Sequence, residues 1–357
     1  MLLEFLATEL VAQVYFHLSS VNDVLALSAT CHRFRGIYLS SRKIPILEHA
    51  AEEQYGPLLD VTQLLTHNSS QPAHLIRTVP LSIALIKQIV HVGRVAERWA
   101  DLYPFKKWKY NFENRRLLSE AERRRVRRAL YRLWLYARAF YNRAHPRETR
   151  MSRPVLLERA ALLHNWSTWE LAEMADVHAV LRDVVHGNVC PSNGTIARRF
   201  KKRFPDKDQN QLLFNIHLNY PPPVTNPFSS PFHSSPNALS NYYQHVGPHD
   251  NRLHYSKYTA TAYHEPGAEG WGDDIPHYYV VEDMMKLDPE QILWLKDNAP
   301  LKGQVEMFVR GIGDWFENNG ETWSQTLQWV LNERGEDVEE VLNGIAECEF
   351  GIAVVEE

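Results

Sequence analysis

Apolar positions along this chain recur mostly at three- and four-residue spacing, which predicts helices along most of its length. In the first forty residues Leu10, Val11, Val14, Tyr15 and Leu18 share one side of a short helix. Thr8 is placed to cap it, and Glu9 stands in the first turn, where a negative charge suits the helix dipole. Ser20-Val21-Asn22-Asp23 has the S-x-x-D form of a capping box, and Val24, Leu25, Leu27 and Ser28 continue it as a second amphipathic helix. Cys31 to Tyr38 reads as a third piece, with Phe34, Ile37 and Tyr38 apolar. Three helices of about ten residues bury little among themselves. The apolar residues left over therefore point to a partner surface.

The same spacing continues beyond. Ile44 to Tyr55 and Leu58 to Leu65 read as helices divided by Gly56-Pro57, and Pro80 to Leu102 reads as a long buried helix with Pro104 just past its end. Ser119 and Glu122 form a capping box at the head of Arg123 to Ala144, whose stripe Val126, Leu130, Leu133, Ala137, Phe140 keeps a 3.6-residue period. Ser167 to Glu170 repeats that signal for a helix running to a stop at Gly187, and Thr195 to Phe204 is a further basic helix. Between Tyr220 and Pro276 the apolar period disappears among prolines, serines, histidines and tyrosines, as in an insertion or linker. Tyr278 to Val281 reads as a short strand. Asp288-Pro289-Glu290 starts another helix, followed by helices around Val305 to Ile312, Thr322 to Asn332 and Val338 to Ala346, punctuated by Gly320 and Gly335. Trp315, Trp323 and Trp329 read as core residues. The expected fold is mainly α: a docking module over 1–45, a helical body over 46–219, the insertion over 220–276, and an acidic helical segment over 277–357 packing on the body.

Charge sharpens this picture. Arg115 to Arg153 holds thirteen arginines against three acids, whereas Glu265 to Glu357 holds twenty-two acids against five basic residues. Fields of opposite sign and that size face each other or face separate partners. On the predicted Arg123–Ala144 helix, Arg124, Arg128 and Arg132 lie on the face away from the apolar stripe. Guanidinium groups suit carboxylate and phosphate, so these three are candidates for binding a protein substrate, and the Arg115–Arg153 segment as a whole is a candidate for nucleic acid. The alternative is a solvated face, or one covered by the acidic C-terminal segment.

The N-terminal spacing L-x-x-E-L-x-x-x-V-Y-x-x-L, followed by D-V-L-A-L and T-C-H-R-F, resembles an F-box, the module that joins substrate receptors to SCF-type cullin–RING ubiquitin ligases through a Skp-family adaptor. The resemblance spans Leu6 to Tyr38, roughly a tenth of the chain. It implies that Leu6, Leu10, Val14, Tyr15, Leu18, Leu25, Leu27 and Cys31 face the adaptor. F-boxes usually carry proline after the first leucine; here Ala7 stands there, which leaves the start of the first helix less fixed. The stretch Arg115 to Asn142 is also similar to one that recurs in fungal F-box-like proteins. Three ordinary core helices remain the other reading of the N-terminal spacing.

Further chemistry is sparse. Cys31, Cys190 and Cys348 are an odd number without CxxC spacing, which argues against a disulfide framework or a cysteine zinc site and suits the reducing cytosol or nucleus. His245, His249 and His254 fall in the insertion without HExxH and read as surface histidines, so neither a metal nor another cofactor is expected. No signal peptide is expected at the N-terminus, and no apolar run approaches the ~20 residues that span a bilayer, so no membrane partner is expected. Without P-loop, G-x-S-x-G or G-x-G-x-x-G the chain reads as a non-enzymatic receptor, its catalysis supplied by the adaptor–cullin partners; nucleic-acid binding is the alternative.

Overall fold

Helical spacing is realised throughout the part of the chain that can be followed. The computed structural model describes residues 5–146, 148–150, 152–203, 270–272, 274–316 and 320–354, and among these it holds fifteen α-helices and no strand. In order they are α1 (Thr8–Phe16), α2 (Val21–Thr30), α3 (His32–Tyr38), α4 (Lys43–Tyr55), α5 (Leu58–Thr66), α6 (Ile83–Lys107), α7 (Glu120–Phe140), α8 (Arg153–Leu163), α9 (Thr168–Val184), α10 (Asn193–Arg203), α11 (Asp274–Met284), α12 (Pro289–Asn298), α13 (Lys302–Ile312), α14 (Trp323–Glu333) and α15 (Val338–Glu347). The insertion expected over 220–276, with His245, His249 and His254, lies outside the described residues except for 270–272 and 274–276.

The chain divides into two units. The first comprises the described residues of 1–140, 152–180 and 323–357; the second, those of 141–151 and 181–322. Helices of the acidic C-terminal segment fall in both.

In the first unit, α4 and α5 pack on α6, and α6 and α5 pack on α7. Ile46, Leu47 and Ala50 of α4, Val61 and Leu64 of α5, and Ile89, Val92 and Ala96 of α6 are buried there at helical spacing. Helix α14 packs on α8, and its Trp323 meets the Tyr136 ring of α7 edge-on at 5.3 Å. Burial of Arg159 on α8 is compensated in part by its Nε, which donates to Thr326 Oγ1 at 3.1 Å.

Helix α6 does not stop before Pro104 but runs through it to Lys107. Its last turn is held by tertiary bonds: Tyr103 Oη donates to Asp176 Oδ2 at 2.5 Å and Lys107 Nζ pairs with Asp176 Oδ1 at 2.9 Å. The same carboxylate accepts the Ile352 amide at 3.1 Å, which pins the C-terminal strap to α9. A buried carboxylate bonded to three donors is well compensated, and this offsets the backbone bond that a proline removes.

In the second unit, Tyr278 to Val281 belongs to α11 rather than to a strand. The β-branched and aromatic residues there favour strand locally, but His277, Val280, Val281 and Met284 are buried at helical spacing while Tyr278 and Tyr279 remain exposed, so tertiary packing decides for helix. Gly187 does not end its helix either. The chain passes through a π turn, Val185–Val189, closed by the Cys190 amide bonding to Val185 O at 2.8 Å. Asp283 and Lys286 form a fully buried pair at 3.3 Å, and Lys286 also donates to the Phe316 carbonyl.

The close crossing of α4 and α6 depends on Gly93, where an added Cβ would lie 2.3 Å from a carbon of the buried Tyr55 ring. Overpacking at such a contact costs about 1–3 kcal/mol. Gly93→Ala is therefore expected to lower the urea midpoint of the full chain without changing its helix content, whereas Gly36→Ala, inside α3 with no atom within 4 Å of the added Cβ, should raise it slightly because alanine favours helix over glycine.

Candidate docking site

Helix α1 starts one residue earlier than its candidate cap suggests. Ala7 is the N-cap residue, with no side-chain bond to the helix, and Thr8 is already helical. Ala7 stands at φ −59°, a value that a proline ring would also impose, so the backbone at this departure from the F-box pattern has a proline-compatible conformation. Ser20 caps α2 by accepting the Asn22 amide at 3.2 Å, and Cys31 Sγ accepts the Phe34 amide at 3.5 Å at the head of α3.

Helices α1 and α2 pack on α3 and, with it, on α4, and this buries Val11, Ala12 and Tyr15 from α1, Val21 and Val24 from α2, and Phe34, Ile37 and Tyr38 from α3. Tyr15 is central to this core. Its ring lies 6.3 Å from that of Tyr38 and its hydroxyl donates to Phe34 O at 3.1 Å, and burial pushes its pKa up to about 12. Of the residues that the resemblance turns toward an adaptor, Tyr15 thus holds the unit together from within. Leu10 and Leu25 remain 52% and 45% exposed, and Leu6, Val14, Leu18, Leu27 and Cys31 are half-buried. Leu10 and Val14 stand one turn apart on α1. Exposed leucines on a unit with so small a core form a surface able to bury apolar area against a partner.

The arginine face of α7 is arranged differently. Arg127 and Arg132 are buried along with the apolar stripe, so α7 is enclosed nearly all round. Arg132 Nε lies 2.6 Å from Asp60 on α5 and Nη1 lies 2.8 Å from Glu170 on α9, with the guanidinium 5.2 Å from the Trp166 ring. Arg128 pairs with Glu173 at 2.6 Å and with Glu170 at 3.6 Å. Arg127 and Arg123 both reach Glu97 on α6, Arg123 also reaches Asp101, and Arg124 pairs with Glu52 on α4. The acids that meet the candidate residues Arg124, Arg128 and Arg132 therefore come from α4, α5 and α9, not from the acidic C-terminal segment. Only Glu170 was legible beforehand, as the capping-box partner of Ser167, whose amide it accepts at 2.9 Å. Asp60 and Glu173 carried no signal because each occupies one position of an ordinary amphipathic helix.

Burial pushes the pKa of every carboxylate in this cluster upward, but the net shifts run in opposite directions. For Asp60 burial outweighs Arg132, and for Glu173 it outweighs Arg128, so both pKa values are raised. For Glu170 burial also acts upward, but the Ser167 amide and then Arg132 and Arg128 outweigh it and hold the carboxyl below its ordinary 4.5. Among the described residues no group of histidine, cysteine, aspartate and glutamate could hold a metal ion, and no helix is long and apolar enough to cross a membrane.

Removing one partner of a buried pair leaves an uncompensated charge, so Arg132→Ala is expected to cost about 3 kcal/mol. Arg124, 46% exposed at its side chain, lies in a pair screened by solvent, and Arg124→Ala should cost less than about 1 kcal/mol in the same denaturant titration. The depressed Glu170 contributes stability that is present above its unfolded pKa of 4.5 and is lost as pH falls through its folded value; the raised Glu173 contributes in the opposite sense, losing its share as pH rises. Melting temperatures on either side of pH 4.5 should consequently fall less steeply toward acid in Glu170→Gln than in wild type, and more steeply in Glu173→Gln. No family model, curated protein or solved structure matches this chain.

Proposed function

We propose that the chain is a non-catalytic substrate receptor of an SCF-type cullin–RING ubiquitin ligase, with α1 to α3 docking a Skp-family adaptor and the rest of the protein holding a target protein. The observation that carries this reading is the division of labour within the N-terminal unit. Tyr15 anchors its core, while Leu10 and Leu25 are left in water. The F-box-like spacing supplies the identity of the partner; the exposed leucines supply apolar area for it to bury.

Target recognition is not assigned to Arg128 and Arg132, whose guanidinium groups face carboxylates of the same chain. Arg124 is the most exposed of the three candidates. A nucleic acid on the Arg115–Arg153 segment would have to draw the α7 arginines away from these partners, at the desolvation cost of the acids left behind.

The test is co-purification of the tagged full chain with a Skp-family adaptor and cullin. Wild type should recover the adaptor stoichiometrically, and Leu10→Asp/Leu25→Asp should recover none while keeping wild-type helix content, since a charge in an apolar interface is strongly unfavourable. Adaptor recovered equally by both proteins, or by neither, would overturn the reading.

A further inference from the structure

Two histidine rings meet between the π turn, Val185–Val189, and α11. His277 is buried, 4% exposed, and its ring lies edge-on 4.6 Å from that of His186. His186 belongs to the π turn and is itself exposed. The Nε2 of His277 stands 2.6 Å from the Cys190 carbonyl, which can only accept, so that nitrogen carries the hydrogen. The amide of the same Cys190 closes the π turn on Val185 O at 2.8 Å. One residue thus links the His277 ring to the turn through its two backbone groups. Beyond it the chain is held beside 270–272, Pro191 O accepting the Trp271 amide at 3.0 Å and the Asn193 amide donating to Gly272 O at 3.1 Å. The Cys190 side chain is fully buried, and burial pushes its thiol pKa well up.

We propose that the His186–His277 pair is an acid-sensitive latch: closed at neutral pH, it opens when His277 takes up a proton, freeing the π turn from α11 and uncovering Cys190. A proton on His277 puts a cation where a neutral ring is packed, with the Cys190 carbonyl as its hydrogen-bond partner. Among the described residues, exposed Asp274, one turn earlier on α11, is the charge that favours the imidazolium. Glu290, Lys296 and Asp297 of α12, which packs on the π turn, do not act on the ring, and Lys302 and Glu306 of α13 act on Cys190 instead. Burial outweighs the Cys190 bond and Asp274 together, which holds His277 below its ordinary 6.5. His186 adds to this from the turn, because a charge on either ring opposes a charge on the other. The closed junction therefore binds fewer protons than the open one. Its stability is full above pH 6.5 and is lost as pH falls from there toward the folded pKa of His277. Opening one turn and its contact draws on local stability rather than on that of the whole fold, and π turns recur at functional sites. The latch does not rest on the ligase reading, since neither histidine belongs to α1 to α3.

Access to the Cys190 thiol in the full chain tests this. Native protein is treated with dithiodipyridine, which reacts with thiols in acid as well as at neutral pH, and labelling of the Cys190 peptide is followed by mass spectrometry, which separates it from Cys31 and Cys348. Each rate is divided by that of the urea-unfolded chain at the same pH, so that only opening remains. From about pH 7.5 to about pH 5 this ratio should rise roughly tenfold in wild type. In His277→Gln, whose amide can still donate to the Cys190 carbonyl but cannot titrate, the ratio should stay constant within about twofold. Far-UV circular dichroism should remain that of the folded chain across the range. A constant ratio in wild type, an equal rise in His277→Gln, or loss of helix in step with the labelling would overturn the proposal. Should His277→Gln fail to fold, His186→Gln takes its place, and there the rise should shrink to roughly a third; an undiminished rise would overturn the proposal as well.

Discussion

The enclosure of α7 is the constraint on which much of the first unit depends. A helix carrying seven arginines would ordinarily keep one face in water. Here α4, α5, α6 and α9 close around it, so guanidinium groups enter the interior and each needs a carboxylate at hydrogen-bonding distance. Asp60, Glu97, Glu170 and Glu173 supply those carboxylates from α5, α6 and α9. The arrangement fixes how these helices sit, because sliding any of them by one turn would separate a buried charge from its partner. Bidentate, planar arginine pairs impose direction as well as attraction.

A second fixed point is Asp176. Through Tyr103, Lys107 and the Ile352 amide it ties the end of α6 and the C-terminal strap to α9. The backbone follows closely here: Gly351 stands at φ +98°, and a Cβ there would lie 2.6 Å from Asp176 Oδ2. The strap's route over this carboxylate therefore suits glycine on both conformational and steric grounds.

The chemistry left accessible by this interior has two kinds. At the N-terminus it is aliphatic, on helices held together by Tyr15, which suits burial against another protein. At the α6–α7 connection it is mainly aromatic, with Phe105, Tyr110 and Phe112 exposed beside Leu117. The arginines that dominate the sequence are mostly turned to internal use, so the largest charge feature of the chain contributes more to how it folds than to what it meets.

The sequence by itself determined the helical class and the position of most helices, because apolar spacing and capping residues such as Ser20 and Asp288 act within a turn or two. It also determined that the first forty residues carry more apolar surface than three short helices need. Only the tertiary structure decided which of those residues are core and which are surface: Tyr15 and Leu10 obey the same helical period, and the neighbouring α3 and α4, not the period, place one inside and leave the other out. It likewise decided that Tyr278 to Val281 are helical, that α6 survives Pro104, and that the α7 arginines meet Glu and Asp from α4, α5, α6 and α9. Each of these rests on partners tens of residues away in the chain, where spacing and capping carry no information, because burial and charge pairing are properties of neighbours in space.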